Sequence, residues 1–562
     1  MQFRATMFLV IGLGLAGCST VASSPGHPKA AIQRSMEPLS PQGEQQLRRI
    51  IQAGTLSDLR LQNFSKRRAS VQEFYEETGY KLAWSENSKP TTQARELIQV
   101  LDEAEQKGLD SKDYDGGRWA ERVKALEGGS GAPESERVKF DVALTVSGTR
   151  YISDLHLGKV NPKSLHKDFD PERKHHDAGE FLREQVVGAP NVKEALAQVE
   201  CPYPGYQLTL AALQKYMQMA KDEARDPLPP VQKPIEPGQT YAGMDKLVRR
   251  LKFLGDLPQS ASVPAEANIY SGEVVEGVKR FQVRHGIEAD GKIGTQTIVE
   301  LNQPMSYRVE QLRLSLERWR WLPHEFPAPP IIVNIPEFKL RAIDAPGKPA
   351  LAMSVVVGKA MRTETPVLEE DMEYIVFWPY WNVPPSILRG EMIPKIAKDP
   401  GYLSRNGYEV ATLSGNVVTD GAVSDGVLSQ LQAGKLMVRQ KPGPKNALGL
   451  IKFIFPNDNN VYLHSTPAQA LFGKARRDFS HGCIRVEDPK SLAAWVLKNN
   501  TDWTKDRIEN AFAAGKEEQV KLTKTIPVLV LYDTAIAEED GQVFFFKDIY
   551  GHDKDLLKLA AR

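Results

Sequence analysis

Three kinds of feature are scarce in this chain of 562 residues. It has three cysteines, Cys18, Cys201 and Cys483, at spacings that suggest no disulfide framework. Cys201 reads as a small buried apolar residue. An excess of one charge is missing as well, since 72 Lys and Arg stand against 71 Asp and Glu, a formal net charge of +1. No basic stripe breaks that balance, so nucleic acid is not an expected partner. Long apolar runs are absent beyond the N-terminus, where Met7 to Ala16 follows Arg4. That run is shorter than the ~18 residues of a permanent membrane span and reads as a signal over residues 1–17. Neither C-x-x-C nor H-E-x-x-H occurs, so zinc is not expected.

What is present divides the chain, which is too long for one core and should form two to four domains. The signal ends in Leu15-Ala16-Gly17-Cys18, which resembles a bacterial lipobox; a plain secretory signal is the alternative. The resemblance implies a protein lipidated at Cys18 in the periplasm of a Gram-negative bacterium. Ser19 in place of an Asp favours the outer membrane over the inner. Residues 18–42 read as a flexible tether rich in Ser, Pro and Gly. Residues 43–225 are helical in pattern, with Leu97-Ile98-x-x-Leu101 and Leu208, Leu210, Leu213 at near-helical spacing. Interruptions are expected from Phe74 to Trp84 and from Gly148 to Lys159, and His175-His176 read as surface residues. A Pro-rich linker, 226–243, follows.

Residues 244–303 have the spacing of short helices around Phe281-Gln282, Asp290-Gly291 and Gly294-x-x-Thr297. They resemble a three-helix peptidoglycan-binding module. From about Pro330 the texture changes to short runs rich in β-branched and aromatic residues, such as Ile331–Ile335, Tyr374–Trp378 and Pro527–Tyr532. These predict a sandwich or barrel over 330–535, followed by a C-terminal segment, 536–562. Inside it, 387–446 reads as a long insertion of weak strand character, of the kind that forms lids.

The chemistry concentrates in Tyr462-Leu463-His464-Ser465 and Ser480-His481-Gly482-Cys483-Ile484-Arg485, with Cys483 placed 19 positions after His464. A thiol nucleophile needs a base beside it, and the base needs an acceptor on its far nitrogen. Glycine before the cysteine permits a tight turn, and successive backbone N–H groups there can receive an oxyanion.

At these residues the chain resembles the YkuD-type L,D-transpeptidases, whose signature is His, roughly 15 residues, then Ser/Thr-His-Gly-Cys. The flanks Trp381-Asn382-Val383-Pro384-Pro385 and Lys441 to Gly449 look like the large, YcbB-type branch. That branch joins a helical scaffold, a peptidoglycan-binding module and a mainly β catalytic domain with a capping insertion: a multidomain α+β fold. The resemblance implies Cys483 as nucleophile, His464 as base, and the Ser465 carbonyl as its orienter. It implies an oxyanion hole from the Gly482 and Cys483 N–H groups with help from Tyr462. Arg485, His481 and Asn382 are candidates for substrate binding. The implied reaction needs no cofactor. It forms 3→3 cross-links between peptidoglycan stem peptides through a thioester, releases D-alanine, and is open to acylation by carbapenems. Hydrolysis (an L,D-carboxypeptidase) and anchoring of a lipoprotein to the wall use the same site. A wall-binding scaffold, with the glycan and cell-wall synthesis proteins as partners, is the non-enzymatic alternative.

Overall fold

The computed structural model describes residues 36–128, 132–169, 176–261, 268–345, 348–361 and 363–561. Cys18, the signal, most of the tether and His175 lie outside the described residues. Among the described residues no helix is long and apolar enough to cross a membrane.

The first body is built around one helix, α1 (Glu134–Leu157), buried almost all round from Val138 to His156, as a helix at the centre of a bundle must be. Asp141 on it is fully buried, accepting the N–H groups of Ala83 and Trp84 at 2.9 and 2.8 Å and the Tyr75 hydroxyl at 2.7 Å. The expected interruption at Gly148 is not there. The glycine sits inside α1, and a Cβ would come within 3.2 to 3.3 Å of Leu182 and Leu97. Close packing outweighs glycine's intrinsic cost of about 1 kcal/mol in a helix. His176, expected at the surface, is half-buried with its ring 4.4 Å from that of His156. Helix α2 (Pro204–Asp222) ends this part of the chain, and Cys201, just before it, is buried in the apolar cluster it forms.

The Pro-rich stretch is a strap laid along the following module. Ile235 and Ile293 exchange backbone hydrogen bonds at 3.1 and 3.0 Å, and Leu228 is held at both N–H and C=O by Asn302. The module itself has three helices, α3 (Met244–Leu254), α4 (Glu273–Arg284) and α5 (Thr295–Leu301). Its Phe-Gln and Asp-Gly signature proves to be a knot: Gln282 accepts from the Gly291 N–H at 2.9 Å and donates to Lys292 O at 3.0 Å.

Helix α6 (Met305–Trp321) then packs against α2; nothing in the pattern between 303 and 330 had pointed to it. It buries Arg308, Arg318 and Arg320, and Arg318 meets Asp553 at 2.7 Å on the last helix, α7 (His552–Ala560).

Eight strands of the C-terminal domain pair in a closed ring. In chain order they are β1 (Ile331–Asn334), β2 (Lys339–Ala345), β3 (Lys348–Gly358), β4 (Leu368–Phe377), then β9 (Ile451–Ile454), β10 (Leu463–His464), β12 (Ile484–Val486) and β13 (Glu518–Leu531). Their order around the ring is β3-β12-β10-β9-β4-β13-β1-β2, and β2 returns to β3; β11 (Asp478–Ser480) adds to β3 outside it. The enclosed face carries the large aliphatic core.

The capping insertion differs from its weak-strand reading. Strands β5 (Trp381–Asn382), β6 (Tyr408–Thr412), β7 (Val417–Thr419) and β8 (Leu436–Gln440) form a separate sheet in the order β5-β8-β6-β7. Short helices cover it, and Leu388, Met392, Ile396, Val410 and Val438 give it a core of its own. Each strand contributes few apolar residues because the strands are short and the core they build is small. A hairpin, β14 (Ala535–Ala537) with β15 (Val543–Phe545), joins the C-terminal segment to the module, where Arg284 donates to Val543 O at 2.8 Å.

Candidate active site

Strand pairing alone assembles the site. β10 runs parallel to β12 with Leu463 opposite Ile484 and His464 opposite Arg485. Side chains alternate along a strand, so Tyr462, His464, Cys483 and Arg485 share one face while Leu463 and Ile484 share the other. Leu463 and Ile484 belong to the enclosed core at 0% exposure, which sends the polar set to the outer face of the ring.

His464 is 4% exposed, and its Nδ1 lies 2.6 Å from the Ser465 carbonyl. A carbonyl only accepts, so Nδ1 carries the proton and Nε2 is left as the base. Burial, then the Arg485 cation, hold the imidazole down to about 3, against the Ser465 and Leu448 carbonyls. It is neutral at any physiological pH. Ser465 is itself fixed: its Oγ accepts from Leu450 N at 2.7 Å and donates to Leu448 O at 3.1 Å. Gly449, at φ +64°, lets that loop close, since a Cβ would fall 2.0 Å from the same Oγ.

Cys483 is half-buried. Its Sγ donates to the Asn460 carbonyl at 3.7 Å and is hydrogen-bonded by Tyr462, with no hydrogen bond to His464. Burial pushes the thiol up, against the Tyr462 hydrogen bonds and the Arg485 charge. The resting pair is thus neutral thiol and neutral imidazole. Asn460 aims its carbonyl from a left-handed backbone (φ +53°), in a turn braced by Asn457, which bonds Phe455 O, Val461 O and Val461 N.

The expected oxyanion hole needs one correction. The Gly482 N–H is directed at Ser480 Oγ, 3.2 Å away, and Ser480 Oγ donates to Cys483 O at 2.6 Å. The tight turn closes on its own serine, so this N–H is already used. The Cys483 N–H has no acceptor among the described residues and the Tyr462 hydroxyl lies at the sulfur, so these two remain as donors. Gly482 is still required: its φ is +115°, a backbone that L side chains rarely adopt. The Thr365 hydroxyl donates to Gly482 O at 2.7 Å and orients the peptide that carries the Cys483 N–H. No motif in the sequence pointed to Thr365.

The other candidates separate. The Arg485 guanidinium makes no hydrogen bond or ion pair with the described residues and senses the thiol and the imidazole. His481 turns to the cap, with Nε2 2.8 Å from Glu391 Oε1. Asn382 lies in the cap's sheet opposite Arg439, with its side chain exposed. Among the described residues no group of three or more His, Cys, Asp or Glu is placed to hold a metal ion.

Comparison with known proteins agrees with this layout. Family models match residues 69–213 as "Scaffold domain", 241–301 as "Putative peptidoglycan binding domain" and 329–512 as "L,D-transpeptidase catalytic domain". A Haemophilus influenzae protein described as "Putative L,D-transpeptidase" is 32% identical over 247 residues, which is 44% of this chain and 49% of that protein. The chain thus spans about half the length of that curated relative. A crystal structure of an L,D-transpeptidase from Xylanimonas cellulosilytica is 15% identical over 54% of this chain and all of its own, with a TM-score of 0.18, too low to bear on the fold.

Proposed function

We propose that this chain, whose residues match models of a scaffold domain, a peptidoglycan-binding domain and an L,D-transpeptidase catalytic domain, forms 3→3 cross-links in peptidoglycan. The observation that carries the reading is the β10–β12 register. It sets the Cys483 thiol, the His464 imidazole held by Ser465 O, and the Arg485 cation together beside the Cys483 N–H. The thiol leaves the Asn460 carbonyl and gives its proton to His464 Nε2 as sulfur attacks the carbonyl before the terminal D-alanine of a tetrapeptide stem. Oxyanion charge falls to the Cys483 N–H and the Tyr462 hydroxyl. His464 then protonates the departing amine, and the thioester passes to the side-chain amine of a neighbouring stem. We place this chemistry in the periplasm, with Cys18 as the lipid anchor and the same thiol open to carbapenems.

The test incubates the full-length soluble chain with tetrapeptide muropeptides and follows products by mass spectrometry. Dimers that require Cys483 support transpeptidation. Tripeptides alone would replace it with hydrolysis. Absence of any adduct at Cys483 would end the reading.

A further inference from the structure

Lys452 drew no attention in the sequence, yet the sheet sets it beside the base. On β9 it stands directly opposite His464, and Ser465 N–H donates to Ile451 O next to them at 2.9 Å. The Lys452/His464 pair therefore falls between ladder hydrogen bonds, where opposed side chains approach most closely. Continuing across the outer face, the row reads Val376, Lys452, His464, Arg485, Val356. His464 thus has Lys452 and Arg485 as its two cross-strand neighbours.

Neither cation has a partner of its own. The Lys452 ammonium makes no hydrogen bond or ion pair with the described residues. The carboxylate it senses is that of Glu517, which is exposed and accepts from Tyr380 N at 3.3 Å. Burial lowers Lys452 against the Glu517 charge, so the fold holds a half-buried ammonium whose cost an exposed carboxylate offsets only in part. The two cations also sit differently. Arg485 follows the thiol in the chain, whereas Lys452 is on the strand to the other side of His464, the base that must exchange a proton with an amine in each half-reaction.

We propose that Lys452 binds the carboxylate next to that amine, and so selects the group that leaves and the group that enters. This rests on the transpeptidase reading above. The departing amine belongs to D-alanine, whose carboxylate is one carbon away. The acceptor reaches the thioester by the same path in reverse. Its nitrogen bonds to the thioester carbon, the C–S bond breaks with its electron pair kept by sulfur, and the amine proton passes through His464 Nε2 to Sγ. An acceptor with a carboxylate beside its amine is held by Lys452 through a charge-assisted hydrogen bond; water is not. Lys452 is accordingly the residue that favours transfer over hydrolysis.

The experiment acylates the full-length soluble protein with a tetrapeptide muropeptide and offers D-leucine or D-leucinamide as acceptor. The readout is the ratio of kcat/KM for acid over amide. Amine basicity cancels when this ratio is compared between variants. In Lys452→Met the ratio should fall about tenfold or more, the worth of one charge-assisted hydrogen bond, and Lys452→Arg should keep most of it. A ratio unchanged in Lys452→Met overturns the proposal, whatever happens to the rates. Should that variant not fold, the wild-type protein decides the matter: equal acylation by donors ending in D-alanine and D-alaninamide overturns it too. A wild-type protein that forms no thioester adduct fails the transpeptidase reading itself, and this inference with it; an adduct without acid preference fails this inference alone.

Discussion

Leu463 and His464 are neighbours on one strand and look into opposite surroundings, as do Ile484 and Arg485 on the next. On the enclosed face of the ring Leu463, Ile484, Ile451 and Phe453 are all at 0% exposure and pack as one aliphatic core. On the outer face burial is nearly as deep at His464, which is 4% exposed, but it acts on groups that titrate. Removing apolar surface from water stabilises the fold. Removing a thiol, an imidazole, a guanidinium and an ammonium from water instead drives each toward its neutral form, with Cys483 pushed up and His464, Arg485 and Lys452 pushed down. The same burial thus provides stability on one side and sets protonation states on the other, and strand register decides which residue receives which. A slip of one residue would exchange them.

The sharpest way to break that contrast is to change adjacent residues. Cys483→Ala should abolish adduct formation and dimer production, a loss of about 10³-fold or more, while moving stability by less than about 1 kcal/mol. Adduct formation that survives the substitution would remove Cys483 from the chemistry. Ile484→Ala, one position on, should cost about 2–5 kcal/mol, seen as a fall in the thermal midpoint of the catalytic domain. A variant as stable as the wild type would show that the enclosed face is assigned to the wrong side.

Arg485 tests the outer face alone. Its charge lowers both the thiol and the imidazole. In Arg485→Gln both should move up. More of the thiol is then protonated at a given pH, and alkylation by iodoacetamide near pH 7 should slow, by about tenfold if ~1.4 kcal/mol of stabilisation is lost. In the wild type the alkylation rate should keep climbing beyond the ordinary thiol range, because burial holds Cys483 above it. A profile that levels off near pH 7 would show a resting thiolate and contradict the neutral pair.

The contrast also explains what the sequence made legible. Short motifs carry the site because β10 and β12 are short and parallel, so His464 and Cys483 need no long-range information beyond one pairing. The mainly β domain was visible in its β-branched runs. Lys452 was hidden because its importance lies in a cross-strand partner, and pairing is not written locally. Thr365 acts through a single bond to Gly482 from 117 residues away. Helix α6 was hidden for a different reason: Arg308, Arg318 and Arg320 are buried by partners such as Asp553, so its inward face does not read as apolar. The cap was hidden by its size, since a small sheet of short strands needs few hydrophobic residues per strand.

The smallest expected effect lies where the outer face meets the cap. His481 and Glu391 join the catalytic loop to the insertion at 2.8 Å, with side chains 40% and 48% exposed. An exposed pair of this kind contributes about 1 kcal/mol at most. Glu391→Gln keeps a hydrogen-bond acceptor and removes only the charge, so the thermal midpoint should stay put and the rate of adduct formation should change by less than about threefold. The effect should shrink further as salt is added. A loss comparable with that of Arg485→Gln, persisting at high salt, would mean that the cap shapes the site through this pair. Control of the reaction would then extend beyond the sheet's outer face to the separate small core that carries Glu391.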